Sequence, residues 1–180
     1  ILLIEGLNMT GKSTLAAAVA EALGLPILKF NVPPEAAHAH FRDRLLDQYR
    51  CSRHFVIDRA HLSNYAYNGQ LGGGVLSDQE WHRFDGFVSM LDSRLFLMID
   101  CDTKIHLRLQ TRADKGDGAE TLTLPQVADL QRRFVDSYIT SRINMQSIHR
   151  LPDFIAADGK HTALFYQTVE ELDQAIRKDP

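Results

Sequence analysis

Gly6-Leu7-Asn8-Met9-Thr10-Gly11-Lys12-Ser13-Thr14 is the stretch from which the rest of the chain can be read. It fits Gly-x-x-x-x-Gly-Lys-Ser/Thr, the pattern of a phosphate-binding loop. Its flanks meet the structural condition that such a pattern needs. Ile1-Leu2-Leu3-Ile4 before it is a short apolar run that reads as a buried strand, and the alanine-rich stretch 15–23 after it reads as a helix. Two glycines let the backbone curl with its N–H groups inward, where they meet the free N–H groups of the next helix's first turn. That concavity favours phosphate oxygens. Gly6, Asn8, Met9, Thr10, Gly11, Lys12, Ser13 and Thr14 are therefore expected to hold the phosphates of a nucleotide. Lys12 would place a point charge on the β- and γ-phosphates, and the Ser13 hydroxyl suits Mg²⁺.

Size and composition set the bounds. The chain has 180 residues, enough for one domain with a full core. Hydrophobic residues make up 44% and charged residues 24%, the balance of an ordinary globular protein. A net charge of -3 gives no bulk signature of a nucleic-acid binder. Two cysteines, Cys51 and Cys101, build neither a disulfide framework nor a metal cluster, so a reducing, cytoplasmic setting is expected. No apolar run reaches the length of a membrane span and none reads as a signal peptide. The chain opens inside its first strand, and a few residues are expected before Ile1.

Working outward from the loop, Gly24 ends the first helix and Pro26 keeps it from continuing. Residues 26–30 read as a second strand, 31–34 as a turn and 35–50 as a helix with Arg42, Asp43, Arg44 and Asp47 on a solvated face. His38 and His40 stand two apart and cannot share a helix face, which argues against a metal site there. Residues 54–57 read as a third strand, with Asp58-Arg59 at its C-terminal end. In an open parallel sheet ligands bind at that end, so Asp58 and Arg59 share a rim with the phosphate loop. A polar stretch over 64–70 and the run Gly72-Gly73-Gly74 follow. Ser77 and Glu80 form a capping box opening a helix to about residue 91, with Trp81 on its core face or in a pocket wall. Residues 95–99 are apolar throughout, as a strand covered on both faces should be. Asp102 is expected to cap the next helix, over 103–112, whose Arg108 and Arg112 lie on one face. Lys115 to Gly118 read as a loop tip, 125–149 as a long helix, 154–157 as a fifth strand turned by Asp158-Gly159, and 168–178 as a closing helix. Alternating strands and helices give an α/β fold with a parallel sheet and helices on both faces.

The second landmark narrows the chemistry. Asp58-Arg59-Ala60-His61-Leu62-Ser63-Asn64-Tyr65-Ala66-Tyr67 resembles the Asp-Arg-x-x-x-Ser-x-x-Ala-Tyr signature of thymidylate kinases. Ile4-Glu5-Gly6 resembles that family's entry to its phosphate loop, and 152–157 its last strand and adenine-side loop. The order of elements agrees over nearly the whole chain. The resemblance, to the thymidylate kinase and deoxynucleoside kinase superfamily, implies a three-layer α/β/α fold of the P-loop NTPase type with a five-stranded parallel sheet and a helical lid. It implies one P-loop kinase domain over 1–180, with the lid over about 108–124. It implies an ATP- and Mg²⁺-dependent transfer of the γ-phosphoryl group to a thymidylate-like deoxynucleotide. Lys12, Asp58, Arg59, Arg108 and Arg112 would serve catalysis; Ser13 and Asp58 the metal; Asn8, Phe30, Asp58, Arg59, Ser63, Tyr67 and Gln70 the acceptor. Lys115 falls in the lid region. A structural salt bridge of Asp58 with Arg59, and a solvated face for Arg108 and Arg112, are the plainer readings.

The chain also departs from the family's pattern. Asn8 stands where the family usually carries an aspartate that reaches the acceptor sugar. After strand two, Lys29-Phe30-Asn31-Val32-Pro33 contains no arginine for an acceptor monophosphate, and no glutamate stands there as a base. The segment up to Asp58-Arg59 is short and the lid region has few arginines. A neutral Asn8 would tolerate a phosphate on the 3′-oxygen, and a trimmed wall could admit a polymer. An alternative acceptor is therefore the hydroxymethyl group of 5-hydroxymethyluracil within DNA, as in phages that hypermodify thymine, with Asp58 as general base. Arg42, Arg44, Arg50 and Arg53 could supply a basic patch for that polymer. A non-catalytic nucleotide-binding module is a third reading. The partners so implied are ATP and a pyrimidine deoxynucleotide, free or within DNA, in the cytoplasm of a bacterial or phage-infected cell, with no membrane. A homodimer is compatible with the sequence.

Overall fold

Leu2 and Ile4 turn to one side of the first strand and Leu3 to the other, and all three are buried. A strand apolar on both faces needs helices on both faces. In the computed structural model, which describes residues 1–30, 37–67, 76–116 and 121–178, this strand, β1 (Leu2–Gly6), is the middle of a five-stranded sheet. The others are β2 (Ile27–Lys29), β3 (Val56–Asp58), β4 (Arg94–Met98) and β5 (Met145–His149), in the order β2-β3-β1-β4-β5. Every pairing is parallel.

The helices form two layers. Helix α1 (Lys12–Leu23), the short α7 (Leu151–Phe154) and α8 (Ala163–Lys178) cover one face, where Leu2, Ile4, Val56, Phe96 and Met98 meet Leu15, Val19, Phe154 and Phe165. On the other face lie α2 (Ala37–Cys51), α3 (His61–Tyr67), α4 (Asp78–Ser89), α5 (Asp102–Asp114) and α6 (Leu124–Thr140). There Leu3, Ile57, Leu95 and Leu97 pack on Phe41, Phe84, Leu130 and Phe134. The three-layer α/β/α fold expected from the sequence is thus present, and the region expected as a lid begins on α5.

Several local signals act as read. Gly24 closes α1 with φ 64, and its N–H reaches back to the Ala20 and Glu21 carbonyls. Ser77 and Glu80 form the capping box of α4. Trp81 is a core residue, against His61 and Tyr65. Other expectations need correction. The polar stretch after Asp58-Arg59 is, as far as Tyr67, part of helix α3, and its residues 68–70 lie outside the described residues. The helix after β4 is capped by Cys101, with no side-chain cap bond; Asp102 lies inside its first turn and its carboxylate accepts from Gln131. The closing helix starts at Ala163, not at 168.

The largest correction concerns the fifth strand. It is Met145–His149, not 154–157, and α6 stops at Thr140 rather than near 149. Phe154 instead ends α7, fully buried, and Ile155 makes an isolated antiparallel bridge to His161 around the Asp158-Gly159 turn. The helix is stopped by a distant carboxylate. Asp85 on α4, itself fully buried, accepts the Ser141 hydroxyl at 2.6 Å and the Arg142 N–H at 2.6 Å. Its first oxygen also takes His61 at 2.9 Å. A local propensity for helix yields to this buried tertiary contact. The expected turn over 31–34 and the glycine run 72–74 lie outside the described residues.

Burial works to raise the Asp85 pKa, but the bonds from His61, Ser141 and the Arg142 N–H outweigh it and hold it below its ordinary 3.8. Its contribution to stability is therefore present above 3.8 and lost as pH falls through the lower, folded value. Asp85→Ala is expected to cost about 3 kcal/mol in urea unfolding at neutral pH, since it strands the buried His61 and the part-buried Ser141 hydroxyl and Arg142 N–H. The gap between variant and parent should narrow as the pH is lowered below 4 or so.

Candidate active site at the carboxyl rim of the sheet

Gly6 ends β1 with φ 141, and a Cβ there would stand 2.2 Å from the Met98 carbonyl oxygen of β4. Only glycine lets the chain leave the sheet at this point. The turn is pinned from within: the Thr10 hydroxyl donates to the Leu7 carbonyl at 2.8 Å, and Lys12 Nζ donates to the same oxygen at 3.2 Å. Met9 takes φ 70, a left-handed conformation that costs a non-glycine residue about 1 kcal/mol. Gly11, φ 90, is the N-cap of α1 and offers no side chain to its first-turn N–H groups, and a Cβ on it would lie 2.7 Å from Leu151 of α7. The result is a loop closed on its outer side, with a helix N-terminus uncapped by any side chain, the arrangement that suits an anion. Ser13 and Thr14 are exposed at its mouth.

Lys12 is 3% exposed. Burial, then the neighbouring Arg59 guanidinium, lower its pKa to about 7, against the opposite pull of Asp58 and Glu5. The ordinary value is 10.5.

Across the rim, β3 pairs with β1 in a register that sets Asp58 beside Ile4. The Arg59 N–H donates to the Ile4 carbonyl at 3.1 Å with φ 68, and the Arg59 guanidinium donates to the Asn8 side-chain oxygen. The phosphate loop and the Asp58-Arg59 pair are therefore in direct contact. Asp58 is buried; one oxygen stands 3.5 Å from Lys29 Nζ, and the other, Oδ1, has no hydrogen-bond partner among the described residues. A buried carboxylate oxygen without a partner is unfavourable unless something else binds it.

The remaining expected residues divide. The Tyr67 hydroxyl accepts the Asn8 N–H at 3.2 Å, which puts Tyr67 on the loop. Ser63 is buried, and its hydroxyl donates to the fully buried Glu5 carboxylate. Phe30 packs on Phe41 with ring centres 4.3 Å apart. Arg108 lies against the phosphate loop, donating to the Met9 carbonyl at 2.8 Å and to Asp100 at 2.7 Å. Arg112 is half-buried on the last turn of α5, and Lys115 is exposed at its end. Gln70 lies outside the described residues.

Three further residues stand at this rim; Asn64 and Asp100 carry no site expectation from the sequence, and Arg44 is expected only on a solvated face or in a basic patch. Arg44 of α2 donates to the Lys29 carbonyl at 3.0 Å and lies over the Phe30 ring at 5.3 Å, so a guanidinium does reach the end of β2, from the helix rather than the strand. Asn64 is buried on α3 with its amide nitrogen unpartnered among the described residues. Asp100 follows β4. No signal in one sequence marks Arg44, which reads as a helix-face charge; Asn64 was in plain view inside the Asp-Arg-Ser-Tyr block. Arg42 and Arg50 pair with Asp43 at 3.1 Å and Asp47 at 3.2 Å, which dilutes the basic patch.

No protein-family model and no curated protein matches the sequence. Solved structures match its shape. The Bacillus subtilis YorR protein, solved in complex with phosphorylated GDP, aligns with a TM-score of 0.67 at 18% identity, over 97% of this chain and 97% of its own. Deoxyadenosine kinase from M. mycoides with bound dATP aligns at 0.57 and 12%, over 94% of this chain and 98% of that one. Thymidylate kinase from Candida albicans aligns at 0.52 and 19%, over 99% and 91%. The fold is that of the P-loop kinases. At these identities the likeness is one of architecture, and it agrees with the fold that the sequence motifs imply.

Lys12 gives this site a pH signature. Phosphate binding favours the charged amine, so nucleotide affinity should fall by up to about tenfold per unit as pH rises above 7, with proton uptake on binding. Calorimetry in buffers of different ionisation enthalpy measures that uptake. Folding shows the opposite sense. The folded pKa lies below 10.5, so stability rises with pH between about 7 and 10.5, and the full penalty stands below 7. Lys12→Met should therefore abolish nucleotide binding while raising the urea midpoint.

Proposed function

We propose that this chain is a phosphotransferase that uses ATP and Mg²⁺ to phosphorylate a thymidylate-like deoxynucleotide. The observation that carries the reading is the contact of the two halves of the rim, the Arg59 guanidinium on Asn8 of the phosphate loop. A loop shaped for the donor's phosphates and an Asp-Arg pair suited to an acceptor then address the same space. The fold shared with nucleoside and nucleotide kinases agrees with it.

Each group has a part that its surroundings support. Lys12 and the first-turn N–H groups of α1 hold the donor's phosphates. Arg59, half-buried against the loop, neutralises charge on the transferring group. Asp58 Oδ1, without a partner among the described residues, and the exposed Ser13 hydroxyl fit a divalent cation, and these two would hold Mg²⁺. Bound there, the ion would neutralise charge between the β- and γ-phosphates. Tyr67, Asn64, Phe30 and Arg44 are the polar and aromatic groups on the acceptor side. Arg108 and Arg112 approach from α5. A cytoplasmic setting follows from this chemistry. Among the described residues, no helix is long and apolar enough to cross a membrane.

A second reading places the acceptor, a hydroxymethyl group on uracil, within DNA. The neutral Asn8 favours it, since a carboxylate there would repel a 3′-phosphate. In that reaction Asp58 would take the hydroxyl proton.

The test is coupled ADP release with dTMP, hydroxymethyl-dUMP, deoxyadenosine and dGMP, alongside transfer of γ-labelled phosphate to oligonucleotides with and without hydroxymethyluracil. Turnover on dTMP is the expected result. Label on modified DNA alone would move the assignment to the second reading, and ATP binding without transfer to any acceptor would leave a non-catalytic module. Asp58→Asn should lower turnover about 10²–10³-fold on the true acceptor.

A further inference from the structure

Arg108 is expected to serve catalysis from the lid region, yet in this structure its guanidinium bridges two protein groups. It donates to the Met9 carbonyl of the phosphate loop at 2.8 Å and to the Asp100 carboxylate at 2.7 Å. Met9 is the loop residue held at φ 70, and its carbonyl is engaged by Arg108. An arginine on that carbonyl fixes the Met9–Thr10 peptide, whose N–H donates to the Leu7 carbonyl at 3.4 Å, and with it the turn of the loop.

Asp100 is placed with unusual care for a residue just beyond a strand. Its side chain is 9% exposed. One carboxylate oxygen accepts the Cys101 N–H at 2.8 Å and the other takes Arg108. Its backbone is clamped by one side chain from α6: Gln131 accepts the Asp100 N–H at 3.3 Å and donates to the Asp100 carbonyl at 2.9 Å. The same amide nitrogen donates to the Asp102 carboxylate on the first turn of α5. Gln131 thereby locks the β4–α5 junction, the junction orients Asp100, Asp100 orients Arg108, and Arg108 holds the loop at Met9.

We propose that Asp100 and Gln131 are positioning residues that shape the phosphate loop through Arg108. This rests on the phosphate-binding reading of the loop and adds to it a relay from α6. A guanidinium fixed by a carboxylate keeps its planar fork in one orientation, which a lone arginine on a helix face would not. The relay is donor-side: it should govern the triphosphate and leave the acceptor alone.

The test measures ATP binding by calorimetry for the parent chain, Asp100→Asn, Arg108→Met, Gln131→Leu and the Asp100→Asn/Arg108→Met double variant, with acceptor KM for those that turn over. ATP affinity is expected to drop about tenfold in each of the first two, with no further loss in the double variant, because both remove one linkage. Gln131→Leu should weaken ATP binding by less, the acceptor KM should stay within about twofold, and Arg108→Lys should recover part of the loss. In amide NMR spectra, the Met9, Thr10 and Gly11 resonances should shift together in Asp100→Asn, a change that a loss of stability elsewhere would not produce. Additive effects of Asp100→Asn and Arg108→Met would overturn the proposal, as would ATP affinities equal to that of the parent. If Asp100→Asn does not fold, Gln131→Leu combined with Arg108→Met supplies the same cycle. A parent chain that binds no ATP at all would instead remove the phosphate-loop reading itself, and the relay with it.

Discussion

One buried carboxylate sets the distance between the two halves of the rim. Glu5, on β1 immediately before the phosphate loop, accepts the N–H groups of Ala60 at 2.6 Å, Leu62 at 3.1 Å and Ser63 at 3.4 Å, and also the Ser63 hydroxyl. These are the free donors at the start of α3, and they lie in the interior, where water cannot satisfy them. Burial raises the Glu5 pKa, and the hydrogen bonds it accepts work against that rise. A shorter side chain at this position would leave the donors of α3 unmet and Asp58-Arg59 without a fixed height above the loop. The Ser of the Asp-Arg-Ser-Tyr block thus has a structural partner in this chain, in addition to the acceptor-side place its family resemblance implies.

The charges on the rim are out of balance by construction. Lys12 and Arg59 crowd one another, and Asn8, which takes Arg59, is neutral. Lys29 pairs with Asp58 only at 3.5 Å and from an exposed position. The lowered Lys12 pKa has burial as its larger cause and that crowding as its second, and the pull of Asp58 and Glu5 does not offset the cost. A polyanion would relieve it from outside, so the same repulsion that weakens the empty fold would strengthen a complex.

How much of this could be read in advance depended on whether the cause was local. The strand and the helix that flank residues 7–11, the Gly24 stop, the Ser77–Glu80 box and the apolar strands β1 and β4 follow from residues within a few positions of one another, and these readings hold. The end of α6 does not, because Asp85 stops it from 56 positions away. β5 was missed because it is an edge strand. Met145 and Ile148 are partly exposed and Gln146 and Ser147 are polar, so it lacks the apolar run that marks a covered strand, whereas buried Phe154 in a helical turn imitates one. At the site, residue types were legible and partners were not. Nothing in the sequence tells that Ser63 serves Glu5, that Arg108 holds Met9, or that Arg44 reaches the end of β2.

Trp81 is the only tryptophan in the chain. Its indole is buried, its N–H is unpartnered among the described residues, and its ring centre lies 5.2 Å from that of Tyr65 and 6.0 Å from that of His61, both on α3. Since α3 begins two residues after Arg59 and ends on Tyr67 against the phosphate loop, the molecule carries an intrinsic fluorophore wired to its own rim. Emission excited at the indole band then reports on the helix that links donor and acceptor sides, with no dye to attach and no second chromophore of the same kind to subtract.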